Sequence, residues 1–348
     1  MTTTDLVARQ APANRRSLTA EILSWPGTRA LIAVIALFAV SPLFATGSVS
    51  RIALLSMLPF AALTATVAVG QTLVIQQGGL DLSIPGAVTL AALIVAKFGA
   101  DSSWGLPTAV LVAILGTSLF GLLSGLVIAV FGLPPLVVTI ATQALLVGMV
   151  QAVSGGFGAQ VTKELSTFAL SKWAGIPVLA VFALILVVAV HLVLKLTRVG
   201  RRFELVGENP RSAANIGIPT RPYVVSAYWL ASLLAAITGV MLAGLLRSPT
   251  LTAGDNYLLP SIAAVVLGGT ALTGGRGSVI GTALGALFLA QLSQLVATFT
   301  QATAVQNIVQ ALIIGVGIVA QLQLGGASSR LLGLLGAHAS PRPTNDRP

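Results

Sequence analysis

Long apolar segments are the feature that most limits what this chain can fold into. Ten such runs occur, at residues 30–45, 52–75, 86–98, 107–131, 135–153, 177–194, 223–246, 259–272, 278–299 and 308–322. A helix that crosses the hydrocarbon core of a bilayer needs roughly 20 apolar residues. We therefore predict an all-α integral membrane protein of about ten transmembrane helices. The runs 86–98 and 259–272 are the shortest, and a re-entrant or broken helix remains the alternative for each of them.

The composition excludes several classes of protein. Only 8% of the residues are charged and 55% are hydrophobic, whereas soluble domains carry roughly a quarter charged residues. The chain has no cysteine, which excludes thiolate chemistry. Its two histidines are isolated, so we predict neither a metal site nor catalytic residues. The net charge of +10 is assigned to cytoplasmic loops and anionic lipid rather than to nucleic acid.

The distribution of Lys and Arg predicts the orientation of the chain. If all ten runs cross the membrane, 14 of the 19 basic residues share one side with both termini, and the other side holds Arg51, Lys97, Lys163, Lys172 and Arg247. The positive-inside rule makes the first side cytoplasmic. The predicted domains are a cytoplasmic leader with a surface helix or no fixed structure (1–28), a transmembrane domain (29–323) and a disordered cytoplasmic tail (324–348). The domain contains an outer loop (154–176), with room for a short helix, and an inner loop (197–222).

The first motif is a break between two apolar runs at residues 76–86, with the sequence QQGGLDLSIPG. Non-helical backbone at membrane depth occurs where it is buried in protein or lines water, and an acid there is a functional candidate. Asp81 is therefore predicted to lie on a solute pathway. Alternatively, Asp81 or Ser83 caps the next helix, with Pro85 in its first turn. Because unpaired polar groups are costly in hydrocarbon, the pathway prediction also includes Gln71, Gln76, Thr139, Gln143 and Asn256.

The second motif, at residues 207–217, is typical of a compact helix with both ends specified. Asn209 is a preferred N-cap, Pro210 suits the first helical position, and Gly217 suits the left-handed residue after the helix. A helix of about two turns is marginal alone in water. It is therefore held by the membrane helices or by a cytoplasmic partner, and a capped surface helix without a partner is the alternative.

The third motif, residues 263–277, leads into glycines at four-residue spacing. Gly277, Gly281 and Gly285 are predicted to form one groove on a helix, and Gly121 with Gly125 forms a second pair. Such grooves let two helices approach closely. We predict tight packing inside the chain, and a subunit interface is the alternative.

Together the three motifs resemble the permease subunits of ribose-type ATP-binding-cassette importers, which serve monosaccharides and related solutes. The matching residues are 78–83, 207–217 and 263–277. The resemblance implies a ten-helix permease fold with inverted repeats in the bacterial inner membrane. It also implies three kinds of partner: a second permease subunit, identical or not, two cytoplasmic ATPase subunits, and an extracytoplasmic solute-binding protein. The chain lacks the phosphate-binding loop, so we expect a transport subunit rather than an enzyme, with ATP and Mg bound by the ATPase and no cofactor here.

The resemblance further assigns the second motif to coupling with the ATPase. The residues concerned are Glu208, Asn209, Pro210, Arg211, Ala213, Ala214 and Gly217. Among them, Ala213 and Ala214 are expected to lie in a groove of the ATPase. Branched-chain amino acids remain the alternative substrate. An ion-coupled secondary transporter is the alternative mechanism, although such proteins use ionisable residues inside the bundle, and here Asp81 is almost the only one.

Overall fold

The fold is known from a computed structural model, which describes residues 26–100, 103, 105–300, 302, 304–305, 308–309, 311–312 and 315–316. The regular helices are α1 Pro26–Phe44, α2 Arg51–Gln76, α3 Ile84–Phe98, α4 Gly105–Phe131, α5 Pro135–Ser154, α6 Lys163–Leu170, α7 Val178–Leu196, α8 Arg198–Glu208, α9 Pro210–Asn215, α10 Thr220–Leu246, α11 Leu258–Leu267 and α12 Val279–Ala297. A 3-10 turn at Asp255–Tyr257 precedes α11. Strands β1 Lys172–Trp173 and β2 Ile176–Pro177 form a small antiparallel hairpin.

The all-α membrane fold is confirmed. The described residues contain seven helices that are long and apolar enough to cross a membrane, namely α1, α2, α4, α5, α7, α10 and α12. The two short runs correspond to α3 and to the turn with α11. The tenth run, 308–322, lies largely outside the described residues, as do most of the predicted leader and all of the predicted tail.

The core of the bundle is formed by α2, α3 and α10. Helix α3 is buried at every position from Ile84 to Ala96, and α10 packs against α2, α3 and α4. A helix that is apolar on all sides is expected in the middle of a bundle. By contrast, α4, α5 and α7 expose apolar side chains such as Leu119, Ile140 and Ile185, which suits contact with lipid tails. The short α3 is thus an interior helix.

Glycines bring the helices of this bundle into close contact. Gly121 lies against Ser232 and Gly125 lies against Val225, so that α4 and α10 pack closely. Gly281 on α12 lies against the carbonyl oxygen of Gly268, the residue that follows the last turn of α11. Gly285 lies against the carbonyl oxygen of Ala264 within α11. The expectation of a single three-glycine groove is wrong in one respect, because Gly277 precedes α12 and lies instead against the side chain of Gln76.

Candidate functional site

The three sequence motifs meet at one end of the bundle. We call this meeting point the junction and define it as residues 76–79, 207–208 and 274–277. The Gly275 N–H donates to the Gln76 carbonyl oxygen at 3.0 Å, and Gln77 Nε2 donates to the Phe203 carbonyl oxygen in α8 at 2.9 Å. Arg276 Nε donates to Glu208 Oε1 at 2.6 Å. Both interruptions of the apolar bundle therefore contact the inner loop directly.

Small residues make the junction possible. Gly207 lies against the Gln76 carbonyl, and Gly79 lies against the hydroxyl of Tyr228, so a Cβ at either position overlaps its neighbour. Gly78 and Gly274 have φ of +76° and +90°, a backbone region that glycine enters without strain. These two turns touch each other, because a Cβ on Gly274 lies 3.0 Å from the Gly78 nitrogen. The Gly-Gly pairs thus turn the chain where the three segments converge.

Helix α9 has the end signals predicted from the sequence. Asn209 Oδ1 accepts from the Ser212 N–H at 3.0 Å, and Pro210 occupies the first turn. Gly217 follows the helix with φ of +80°. The cap satisfies one of the N–H groups that every helix start leaves free. The local structure of the second motif therefore follows from its sequence.

The expected role of Ala213 needs correction. Ala213 is buried in a small cluster with Val206 and Ile218, and Tyr223 packs against this cluster. Ala213 consequently fastens α9 to α8 and is not available to a partner. Ala214 is exposed, as is Ile216, which is 70% exposed. An exposed alanine and isoleucine beside Arg211 give α9 a free apolar and basic face.

Helix α8 was not predicted. Gly200, Phe203 and Val206 are buried at three-residue spacing, while Arg198, Arg201 and Arg202 are exposed. Thr197 caps the helix by accepting from the Gly200 N–H at 3.0 Å. The spacing and the Thr cap signal an amphipathic helix. Lys195 of α7 and Glu204 of α8 also form an ion pair at 2.6 Å, which fastens α8 to α7, while the contact of Val206 with Ala213 joins α8 to α9 as a helical pair.

Asp81 stabilises the break before α3. Its Oδ1 accepts from the Ser83 N–H at 2.9 Å and from the Ser83 hydroxyl at 2.6 Å. Asp81 is 1% exposed. This is the local turn by which Asp organises its own backbone. Asp81 therefore forms a turn that fixes Ser83, the residue at the N-cap position, and neither Asp81 nor Ser83 makes a side-chain cap bond to the helix itself.

The six predicted pathway residues do not form one cluster. Gln71 and Gln76 are fully buried, and Gln76 lies at the junction rather than at the bundle centre or an outer mouth. Thr139 is also buried, and its hydroxyl donates to the Pro135 carbonyl of its own helix at 2.9 Å. Gln71 and Gln76 are buried because α2 is central, and Thr139 is buried because it lies on the inward face of α5. Only Gln143 and Asn256 keep partly or fully exposed side chains.

Gln143 and Asn256 approach the start of α3 from two directions. Gln143 Oε1 on α5 accepts from the Gly86 N–H at 2.9 Å. Asn256 belongs to the loop in which the Gly254 N–H donates to Thr89 Oγ1 at 2.9 Å. Helix α5 and the segment around the 3-10 turn therefore both contact the first turns of α3, inside the bundle, where a helix N-terminus carries partial positive charge. Polar groups that remain accessible there suit contact with a polar solute.

At the opposite end of the bundle, a cavity of about 420 Å³ carries positive charge. Lys163 and Arg247 line it together with Gln160, Ser166 and Thr167. The Val161 N–H donates to the Arg247 carbonyl at 2.9 Å, which fixes α6 to the loop after α10. No sequence motif pointed to this cavity, because Lys163 and Arg247 are far apart in the chain.

The Glu208–Arg276 pair gives a test of the junction. The Glu208 side chain is 38% exposed and that of Arg276 is 85% exposed, and an exposed pair contributes under about 1 kcal/mol to stability. We therefore expect Glu208→Arg or Arg276→Glu alone to leave thermal unfolding nearly unchanged but to weaken the response to transport substrate of the ATPase that the resemblance implies. The double exchange should restore that response. Equal loss in both single variants and in the double exchange would show that the pair does not connect the motifs.

The fold is an apolar helical bundle with broken helices buried inside it and a capped helix pair at one end. This arrangement defines a multi-pass membrane transport subunit. Residues 53–318 match the family described as the branched-chain amino acid transport system permease component. The chain belongs to this family of importer permeases.

Individual relatives agree with this assignment. The ribose import permease protein of Bacillus subtilis is 34% identical over 249 residues, which cover 69% of this chain and 75% of the relative. The autoinducer 2 import system permease protein of Escherichia coli is 33% identical over 235 residues, covering 66% and 71%. A probable ABC transporter permease of Sinorhizobium fredii is 33% identical over 228 residues, covering 64% and 67%. No solved structure matches the chain significantly.

Proposed function

We propose that this permease carries a monosaccharide or a related small polar solute into the cytoplasm, driven by a separate ATPase that docks on α9. The observation that carries the proposal is the junction, where α8, to which α9 is fastened, contacts both interruptions of the bundle. Coupling between two sites requires an element whose state both sites influence. A movement of α8 and α9 reaches 76–79 and 274–277 through these contacts.

Two named relatives support a sugar-type substrate, since they import ribose and autoinducer 2. The family description, however, names branched-chain amino acids, which keeps them as the second candidate. The partly exposed side chain of Gln143 and the exposed side chain of Asn256 favour a solute rich in hydroxyl groups. None of the three relatives named above is described as an ion-coupled transporter.

An uptake assay distinguishes the two substrate classes. The chain is reconstituted in vesicles with its ATPase and its solute-binding protein, and ATP-dependent uptake of labelled ribose is measured with unlabelled monosaccharides or leucine as competitors. We expect monosaccharides to compete and leucine to have no effect, because a site built for hydroxyl groups rejects an apolar side chain. Uptake of labelled leucine in the same vesicles, with no uptake of labelled ribose, would transfer the assignment to the amino-acid class.

Variants in the same assay test the pathway. Gln143→Leu removes the amide that faces Gly86 and should lower uptake, whereas Gln151→Leu is the matched control on the exposed end of α5. ATPase stimulation by the loaded binding protein should persist in both variants, because neither touches the junction. Unchanged uptake in Gln143→Leu and Asn256→Ala together would remove both residues from the pathway.

We propose that the junction and both termini face the cytoplasm of a bacterial inner membrane, with 154–176 outside. The proposal is supported by the charge distribution, since 14 of the 19 basic residues fall on that side if all ten apolar runs cross the membrane. Single cysteines at Ser212 and Thr167, both at exposed positions, should react with an impermeant maleimide from inside and outside respectively. The chain has no native cysteine to interfere. The reverse labelling pattern would invert the topology.

The charged cavity at the outer end is the proposed contact for the solute-binding protein. Lys163 and Arg247 make no ion pair within the described part of the chain, so both are free to meet carboxylates of a partner. Charge complementarity of this kind mainly increases the rate of association. A second permease subunit, identical or not, completes the proposed complex by covering part of the apolar outer surface.

A further inference from the structure

A groove of about 350 Å³ runs between α4 and α10 on the outside of the bundle. Leu122, Leu126 and Val130 line it from α4 at four-residue spacing, and Arg221, Val225 and Trp229 line it from α10 at the same spacing. Each set therefore occupies one face of its helix. The close approach of Gly125 to Val225 forms the floor of the groove, because a Cβ there lies 2.9 Å from the Val225 Cα.

The groove is apolar along its length and basic at one end. Leu126, Val130 and Trp229 are 41%, 50% and 38% exposed, so the groove opens away from the protein. Arg221 is exposed and forms no hydrogen bond or ion pair with the residues that the structure describes. It lies in the first turn of α10, at the junction end of the bundle. Among the residues that line the groove, Arg221 is therefore the one charged side chain, and it lies at one end of the groove.

This combination matches the two parts of an anionic phospholipid. An acyl chain is apolar, flexible and narrow enough to fill a groove between two helices. The phosphate of the headgroup then reaches a guanidinium at the polar boundary. Trp229 lies eight residues beyond Arg221, which places it about 12 Å further along the helix, beside the chain rather than the headgroup. Between Arg221 at one end and the indole of Trp229, the groove offers a polar solute only Ser226, whose hydroxyl already donates to the Tyr223 carbonyl.

We propose that this groove binds one anionic phospholipid of the cytoplasmic leaflet, with its phosphate on Arg221 and an acyl chain along α4 and α10. The inference rests on the proposed function only in placing Arg221 on the cytoplasmic side. The occupied groove covers the α4–α10 contact, next to the loop that carries α9. A lipid here stabilises the helix that leads out of the coupling segment.

Trp229 allows a direct test by fluorescence. In a full-length chain with Trp25, Trp104 and Trp173 replaced by Phe, Trp229 is the remaining tryptophan. The chain is reconstituted in vesicles of equal parts phosphatidylglycerol and phosphatidylcholine, with brominated acyl chains on one lipid or the other. We expect phosphatidylglycerol to quench Trp229 with a preference of roughly fivefold, which corresponds to about 1 kcal/mol for one basic residue at the surface.

Two arginine variants separate a specific site from general surface charge. Arg221→Gln should bring the preference to about one, and Arg221→Lys should retain most of it. Arg29→Gln is the matched control, because Arg29 is also exposed in the first turn of a helix on the same predicted side. A loss of preference in Arg29→Gln as well would indicate surface charge alone and overturn the proposal.

The remaining outcomes also decide the question. Equal quenching by both lipids in the parent chain would mean that the groove does not select a headgroup. No quenching by either lipid would mean that protein, such as a second permease copy, covers the groove. Because the measurement needs neither ATP nor solute, a failed uptake assay would overturn the proposed substrate without changing this result.

Discussion

Replacing Ala214 with Trp should lower solute uptake roughly tenfold, within the range of coupling energies between linked sites, while the chain still folds. Ala214 is exposed on α9 beside Ile216, so the larger side chain avoids the protein itself and lies where the ATPase is proposed to dock. Basal ATP hydrolysis should persist, but its stimulation by the loaded binding protein should disappear. Uptake and stimulated ATPase activity in the same vesicles measure the two effects.

Two further variants at α9 make this result specific. Ala214→Ser adds one small atom and should keep uptake near that of the unsubstituted chain. Ala213→Trp should instead lower the amount of folded protein, because Ala213 is 2% exposed and packs against Val206. Asn209→Ala removes the cap to Ser212 at a cost of about 1 kcal/mol. Its uptake should therefore lie between the uptake of Ala214→Ser and that of Ala214→Trp. Full uptake and stimulation in Ala214→Trp would mean that α9 is a capped surface helix without a coupling role.

The second large effect is expected at the α4–α10 contact. Gly121→Val places a branched side chain against Ser232 and the Tyr228 carbonyl, where overpacking costs typically 1–3 kcal/mol and sometimes more. Gly116→Val is the matched control on the same helix, because a Cβ at Gly116 meets nothing within 4 Å. The midpoint of thermal unfolding in detergent and the yield of monodisperse protein should fall for Gly121→Val alone. Equal values for the two variants would show that α4 does not depend on this contact.

The amino-acid sequence determined the features that arise from local chemistry. Apolar runs of sufficient length specify helices in a membrane regardless of how those helices are arranged, because lipid offers the backbone no other hydrogen-bond partners. The ends of α9 were equally predictable, since Asn209, Pro210 and Gly217 each act on the nearest turn of backbone. The first motif was correctly recognised as a break, because its Gly-Gly pair and Pro85 interrupt a helical pattern.

The tertiary structure decided which residues meet and which remain accessible. Burial separates Ala213 from Ala214 although they are neighbours, since adjacent helical residues point about 100° apart and only α8 determines which side is covered. The contact of Arg276 with Glu208 joins segments that no periodicity relates. The polar side chains predicted for the pathway also differ in which residues surround them. Gln76 packs beneath Gly277, whereas Gln143 faces the start of α3, because long-range packing, rather than residue type, sets the surroundings of a polar group.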